Sequence, residues 1–373
     1  MKIGIFTFHC AVNYGAVLQT YCLQEVLKSM GHEVYVIDYR PEYLIDPYKI
    51  FVYNPTPCVS YLAKCKGLLR ACLAALIRWK RNRAFSQFVH HHLNLYQLDL
   101  NNESNDFDAF VFGSDQIWNP KITNGFDKVY LGDFPAAKGK KLVAYAASAG
   151  SISNFSGEDI DYFLSRLQCF DKVTVREESL ANYINSKLLV TSEVVFDPVL
   201  LAGRHILEIL FDKHKKISSS YLLLFQIGRN DKISNYAIGL AKARNFKILD
   251  IITSSESLLN LKIKQTLSPN ELLLNFKNAS YVITSSFHGT VFAILFNKQF
   301  NTISVNNNID ERAFSLLKDL HLSDRMLHMK NKPLLSLIDY DAINDLYTRK
   351  KIASYNILNN SLNAVNFCYC SNL

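Results

Sequence analysis

The chain has 373 residues, 49% of them hydrophobic and 20% charged. That balance belongs to a globular protein and excludes a disordered one, which would be less hydrophobic and more highly charged. The net charge of +8 is uneven: Pro47 to Leu98 holds no Asp or Glu but contains Lys49, Lys64, Lys66, Arg70, Arg78, Lys80, Arg81 and Arg83, so this one segment carries the excess.

The length favours two domains. The opening MKIGIFTF has neither the apolar core nor the small-residue cleavage site of a signal peptide. No run of about 18 uncharged apolar residues marks a membrane span. A cytoplasmic protein is expected.

In chain order, Lys2–Phe8 is an apolar, β-prone run. After a polar turn comes GAVLQTYCLQEVLKSMG, whose Val17, Leu18, Tyr21, Val26 and Leu27 recur at helical spacing until Gly31. HEVYVIDY is a second strand, and strand–helix–strand in this span predicts a βαβ unit and a parallel sheet. Residues 41–60 read as a loop and 60–92 as a helix. Ala109–Phe112, KKLVAYAAS and KVTVREES read as strands, with a helix at Glu158–Cys169 between the last two. A linker is placed near 202–219. The rhythm then restarts with YLLLFQIG, helix 231–244, strand Phe246–Ile252, helix 269–278, strand Tyr281–Thr284, helix 289–297 and strand Phe300–Val305. A helix over 310–320 and a polar tail complete the chain. The expected fold is α/β: two Rossmann-like domains, 1–200 and 201–373, facing a cleft where strand C-terminal ends bind ligands.

Several strand ends carry chemistry. In FHCAVNYGAVLQ, Asn13, Tyr14 and Gly15 lead into a helix whose first amides suit an anion, although neither G-x-G-x-x-G nor a P-loop is present; the alternative is a plain αβ turn with a cap. In FGSDQIWNP, Ser114, Asp115 and Gln116 bring together a hydroxyl, a carboxylate and an amide, and Trp118 offers a flat face for a sugar ring. The alternative there is an Asx turn with a structural Trp. Arg176 ends a strand, where its fork suits a carboxylate or phosphate, or pairs with Glu177 or Glu178. In TSSFHG, Thr284, Ser285 and Ser286 can cap a helix, and His288 followed by Gly289 stands at its mouth, where a backbone approaches something closely. Arg312 could reach the cleft or remain in an exposed helix pair.

YLAKCKGLLRACLAALIRWKRNR, 61–83, is basic and amphipathic. Leu62, Cys65, Leu68, Leu69, Cys72, Leu73, Leu76 and Trp79 share one arc, with Lys64, Arg70, Arg78 and Arg81 opposite. Such a helix either lies on an anionic membrane or packs on its own domain; no nucleic-acid-binding motif is present. The eight cysteines contain no C-x-x-C or metal spacing and read as reduced, small apolar residues. Cys58, Cys65 and Cys72, seven apart, fall near one helix face, and Cys368 and Cys370 lie in the tail.

Taken together, KIGIFTFHCAVNYGAVLQTYCLQEVLKSMGHEVYVIDYRP, FDAFVFGSDQIWNP, VREE, FDPVLL and SSFHGTVFAILFNKQF, in that order, resemble the polysaccharide pyruvyl transferase family over roughly residues 2–330. The resemblance implies a fold like that of GT-B glycosyltransferases. It also implies transfer of the pyruvyl group of phosphoenolpyruvate to a sugar, usually as a ketal across two hydroxyls, with release of phosphate. It assigns catalysis to His288 and donor binding to Arg176.

Many members carry Arg immediately before the aromatic of the F-H-G motif; here the position is Ser286, so Arg312 or Arg325 is expected to supply the missing grip. Ser285, Ser286 and Gly289 complete the expected donor site. Asp115 is the expected activator of the acceptor, with Asn13, Tyr14, Gly15, Ser114, Gln116 and Trp118 around it. No metal or cofactor is expected beyond phosphoenolpyruvate as donor substrate.

The resulting expectation is a pyruvyl transferase of capsule or other surface-polysaccharide assembly. It would act on a hexose such as galactose in a polyprenyl-linked precursor, at a 4,6-ketal, peripheral to the membrane. The rival readings are a nucleotide-sugar glycosyltransferase and a non-catalytic scaffold of the assembly machinery.

Overall fold

The computed structural model describes all residues except 54–59, 156–158, 189–190, 213, 216–219, 253–262, 305–307, 329–335 and 364–373. The first half runs β1 (Lys2–Phe6), α1 (Tyr14–Ser29), β2 (Glu33–Ile37), a short α2 (Glu42–Ile45), the long α3 (Tyr61–His92), β3 (Leu95–Tyr96), β4 (Ala109–Phe112) and α4 (Pro120–Thr123). It continues through β5 (Lys141–Ala147), α5 (Asp159–Leu167), β6 (Lys172–Val175), α6 (Glu178–Lys187), β7 (Glu193–Val194), α7 (Pro198–Ala202) and α8 (Arg204–Glu208). The second half has β8 (Tyr221–Gln226), α9 (Asp231–Arg244), β9 (Lys247–Ile252), β10 (Ile263–Lys264), α10 (Pro269–Asn278), β11 (Tyr281–Thr284), α11 (Phe287–Leu295), β12 (Phe300–Ser304), α12 (Asn308–Asp319) and β13 (Met326–His328). A final α13 spans Tyr340–Asn363.

Both sheets are wholly parallel. The first has the order β3-β2-β1-β4-β5-β6-β7 and the second β10-β9-β8-β11-β12-β13. Central strands buried on both faces explain the unbroken apolar runs AFVF and YVIT. The register sets Ile3 against both Val34 and Ala109, and Val282 against both Leu223 and Phe300. Strand order reverses between β1 and β4 and again between β8 and β11. These are the two crevices where such sheets take ligands, at the strand C-terminal ends. The fold is therefore α/β with two Rossmann-like units.

One apolar cluster runs through both units, holding Tyr14 and Val17 of α1 together with Phe225, Val291 and Phe292. Tyr14 fastens the joint: its hydroxyl donates to Leu267 O at 2.8 Å, and its ring lies 6.2 Å from that of Phe225. The expected polar tail includes α13, which returns to the first sheet. Phe196 N donates to Ser354 Oγ at 3.0 Å, and Lys141 Nζ donates to Leu362 O at 2.8 Å. The buried side of this helix is thin, with Ile343, Ser354, Leu358 and Leu362, so periodicity alone marked it weakly. Cys58, Cys368 and Cys370, and Val305 at the expected end of β12, lie outside the described residues.

Candidate functional site

The two reversal points meet. Gly15 opens α1 after β1, and a Cβ there would stand 2.2 Å from His288 Nδ1. Only a glycine lets the α1 backbone approach the imidazole of α11 this closely. His288 is presented by the turn that follows β11. Ser286 caps that helix, its Oγ accepting from Gly289 N at 3.4 Å, while Thr284 Oγ1 accepts from Ser286 N at 3.0 Å.

Beneath the histidine lies Asp197, just past β7. Its Oδ2 is 3.0 Å from Arg176 Nη1 and 3.7 Å from His288 Nε2, and it accepts from Ser114 Oγ at 3.3 Å. Its Oδ1 accepts from Val199 N at 2.9 Å, capping α7. Burial pushes the Asp197 carboxyl up, but Arg176, then His288 and the Val199 amide, outweigh it and hold it at about 2. Asp197 is thus a fixed anion beneath an imidazole. His288 Nε2 has no hydrogen-bond partner among the described residues.

Arg176 ties the site to both carboxylates. Its Nη2 lies 3.5 Å from Asp115 Oδ1, and its Nε donates to Ala146 O at 3.1 Å. Asp115 itself stands at φ 72°, in the left-handed region that costs a non-glycine residue energy. Its Oδ1 also accepts from Gln116 N at 2.8 Å. Next in sequence, Glu177 is buried and takes a hydrogen bond from Ser148 Oγ. Burial raises its pKa against the opposing pull of Arg312 and Arg176.

Arg312 reaches this cluster from α12. Its guanidinium lies 5.4 Å from the centre of the Phe287 ring, and that of Arg176 lies 5.5 Å from the same ring. Arg312 is buried, and among the described residues it has neither an ion pair nor a hydrogen bond; its Nε is without a partner. Burial and then Arg176 lower its pKa, with Glu177 opposing. Glu177, Asp115 and Asp197 compensate the charge only at longer range, so an anionic ligand in direct contact would lower the cost of burying the guanidinium. Arg176, Asp197, Phe287 and Arg312 also line a pocket of about 160 Å³ whose far wall includes Lys350 and Ser354 of α13.

The structure therefore brings together His288, Arg176, Asp115, Ser114, Gly15 and Arg312. Other expected residues do different work. Trp118 is fully buried: its Nε1 donates to Tyr130 O at 3.1 Å, and its ring meets Phe163 and Phe170 edge-on. It offers no face to a sugar, and the structural alternative holds. Tyr14 is buried at the joint rather than open to an acceptor.

Asn13 Oδ1 accepts from Gly15 N and Ala16 N, so those amides are already occupied and do not form an anion cradle. Gln116 Oε1 is taken by Asn119 Nδ2 at 2.7 Å. Gly289 does approach something closely, but it is the Thr284 and Phe225 side chains beneath the helix, not a ligand. Ser285 is buried, its amide bonded to Phe225 O.

Arg325 is also displaced. It immediately precedes β13 at that strand's N-terminal end, paired with Asp324 and Ser336 on the side away from the site. Of the two arginines expected to compensate for Ser286, only Arg312 is at the site. Sequence reasoning gives Asp197 no role and names Glu177 only as a possible partner of Arg176, which instead pairs with Asp115 and Asp197. Asp197 lies in FDPVLL, where Asp before Pro at a strand end was the available signal.

Among the described residues, no group of three or more His, Cys, Asp or Glu side chains could hold a metal ion. The family described as polysaccharide pyruvyl transferase matches residues 13–307. Among solved structures, the chain is similar to an S. aureus MnaA–UDP co-structure at 11% identity and a TM-score of 0.48, covering 96% of this chain and 95% of that one. It is also similar to the UDP-GlcNAc 2-epimerase from Methanocaldococcus jannaschii at 12% identity and a TM-score of 0.47, covering 93% and 92%. No curated protein matches it.

Proposed function

The chain belongs to the polysaccharide pyruvyl transferase family, and on that premise we propose that its donor is phosphoenolpyruvate. The acceptor is a hexose, with galactose and a 4,6-ketal the leading case, in a lipid-linked surface-polysaccharide precursor at the cytoplasmic face of the membrane. The observation that carries this reading is Arg312, a buried guanidinium with no direct ion pair or hydrogen bond among the described residues, which shares the face of Phe287 with Arg176 and feels Glu177, Asp115 and Asp197 only at longer range. Phosphoenolpyruvate brings two anionic groups, a carboxylate and a phosphate. Arginine forks match both groups in geometry and charge.

Ketal formation balances simply. A proton adds to the methylene carbon, leaving an oxocarbenium-like centre at the carbon that bears phosphate. One sugar hydroxyl attacks that carbon and the bond to phosphate breaks; a second hydroxyl attacks the same carbon. Of the two hydroxyl protons released, one replaces the proton given to the methylene and the other leaves with phosphate. His288 is the group suited to carry these protons, since an imidazole can accept at one ring nitrogen and donate at the other. Asp197, kept ionised by Arg176, sets a negative charge 3.7 Å from His288 Nε2. Asp115, just past β4 and part-exposed, is the candidate to orient the acceptor hydroxyls, whereas Ser114 is fully buried with its hydroxyl donated to Asp197 and acts only through that carboxylate.

Calorimetric titration of the whole chain with phosphoenolpyruvate, and separately with UDP- and GDP-sugars, tests the reading. Saturable phosphoenolpyruvate binding that weakens in Arg312→Ala and Arg176→Ala is expected. Binding of a nucleotide sugar instead, with none of phosphoenolpyruvate, would overturn it.

A further inference from the structure

The long helix α3 turns its apolar arc away from the protein. Its packed side is Ala71, Ala74, Arg81, Phe85, Phe88 and Val89. Arg81 Nη2 donates to Val12 O at 2.9 Å, Tyr53 Oη donates to Lys64 O, and Arg78 Nη1 donates to Ile50 O. On the opposite side Leu62, Leu69 and Leu76 are 72%, 62% and 59% exposed, with Leu68, Leu73 and Trp79 also open. Phe51 and Val52, on the segment running beside the helix, are exposed as well.

A monomer rarely leaves so many large apolar side chains contiguous on one surface. Lys64, Lys66, Arg70, Lys80 and Arg83 are exposed on the same helix, and no acidic residue occurs from Pro47 to Leu98. We propose that this face of α3 docks the protein on an anionic lipid bilayer, with Leu62, Leu69, Leu73 and Leu76 in the acyl boundary and the lysines and arginines at the headgroups.

The charge decides between occupants. A second copy docked on the same arc would bring two rings of cations together with no carboxylate between them. An anionic bilayer supplies both the apolar layer and the opposite charge, and a Trp at the edge of such a helix suits the interface. The inference is independent of the proposed reaction, because docking is read with neither donor nor acceptor present.

The experiment is co-sedimentation of the full chain with vesicles, either of phosphatidylcholine alone or of phosphatidylcholine mixed with phosphatidylglycerol. Binding to the mixed vesicles, weak binding to the neutral ones, and release by salt are expected. The variant Leu62→Gln, Leu69→Gln, Leu73→Gln, Leu76→Gln keeps helix-forming residues and lowers the partition about tenfold or more. Lys66→Gln and Arg70→Gln lower it about fivefold each.

Circular dichroism and melting temperatures equal to those of the parent show that the variants are folded. Failure of the parent to sediment, or equal sedimentation of parent and leucine variant, overturns the inference. So does a dimer in light scattering that only the leucine variant dissolves, since the arc would then belong to a second copy.

Discussion

Gly15→Ala tests whether the meeting of the two strand-reversal points sets the rate. The added Cβ would stand 2.2 Å from His288 Nδ1, 2.5 Å from Cε1 and 2.6 Å from Cγ. Ordinary nonbonded contact is about 3.5 Å, so the ring must retreat by roughly 1 Å. Misplacement of a reacting group by about 1 Å costs on the order of 100-fold in rate, or about 2.7 kcal/mol of barrier. The backbone effect runs the other way, because alanine favours a helix over glycine by about 1 kcal/mol.

The expected outcome is therefore a large fall in turnover with a nearly unchanged melting temperature. Phosphate released from phosphoenolpyruvate in the presence of a galactose-terminated acceptor measures the first, and thermal unfolding the second. Combining Gly15→Ala with His288→Ala adds little to the loss from His288→Ala alone, since both act through one ring. Turnover within about threefold of the parent in Gly15→Ala, where about 100-fold is expected, would show that the observed imidazole position is not the reactive one. An additive double variant would separate Gly15 from His288.

Four further outcomes are expected. Arg312→Ala weakens phosphoenolpyruvate binding by about tenfold or more, and Arg312→Lys restores only part of it, because an ammonium lacks the fork; unchanged affinity in calorimetry would remove Arg312 from the donor site. Asp197→Asn leaves Arg176 without its closest buried carboxylate and lowers stability to urea by about 3 kcal/mol.

In the parent, Asp197 titrates at about 2 rather than its usual 3.8, so its contribution, about 2 kcal/mol, is complete above the usual value and is lost as pH falls toward 2. Asp250 behaves oppositely: burial lifts it to about 6, the stability linked to its proton is lost as pH rises through that value, and Asp250→Asn raises stability at neutral pH by on the order of 1 kcal/mol. Trp118→Phe, which strands Tyr130 O, lowers the melting temperature by the equivalent of about 1–3 kcal/mol and leaves the acceptor KM unchanged; a raised KM would return Trp118 to the acceptor site.

The architecture was legible because its elements are local. Runs such as AFVF and YLLLFQ announce doubly buried strands, and the caps Asn13 and Ser286 stand where the helices begin. What failed were readings that needed tertiary context. Trp118 and Tyr14 have the composition of ligand contacts but the surroundings of core residues, and a residue name does not reveal which neighbours cover it. Arg312 and Arg325 looked equivalent in one stretch of sequence. They separate because α12 carries one to the strand C-terminal ends, while the chain then returns to the far end of β13 with the other.

Asp197 shows why the centre of a site can be harder to read than its rim. It is buried, it caps a short helix, and each of those features alone is a structural role. Its place at the site comes from convergence: Ser114 follows β4, Arg176 follows β6 and His288 comes from the other unit, and all three meet one carboxylate oxygen. No spacing in the sequence encodes that meeting, because three separate segments and both units supply it. The same convergence makes the site sensitive to how the two units are joined. The Tyr14–Leu267 hydrogen bond and the Gly15–His288 approach are adjacent in the chain. The turn that opens α1 therefore both fastens the units together and sets where the imidazole lies.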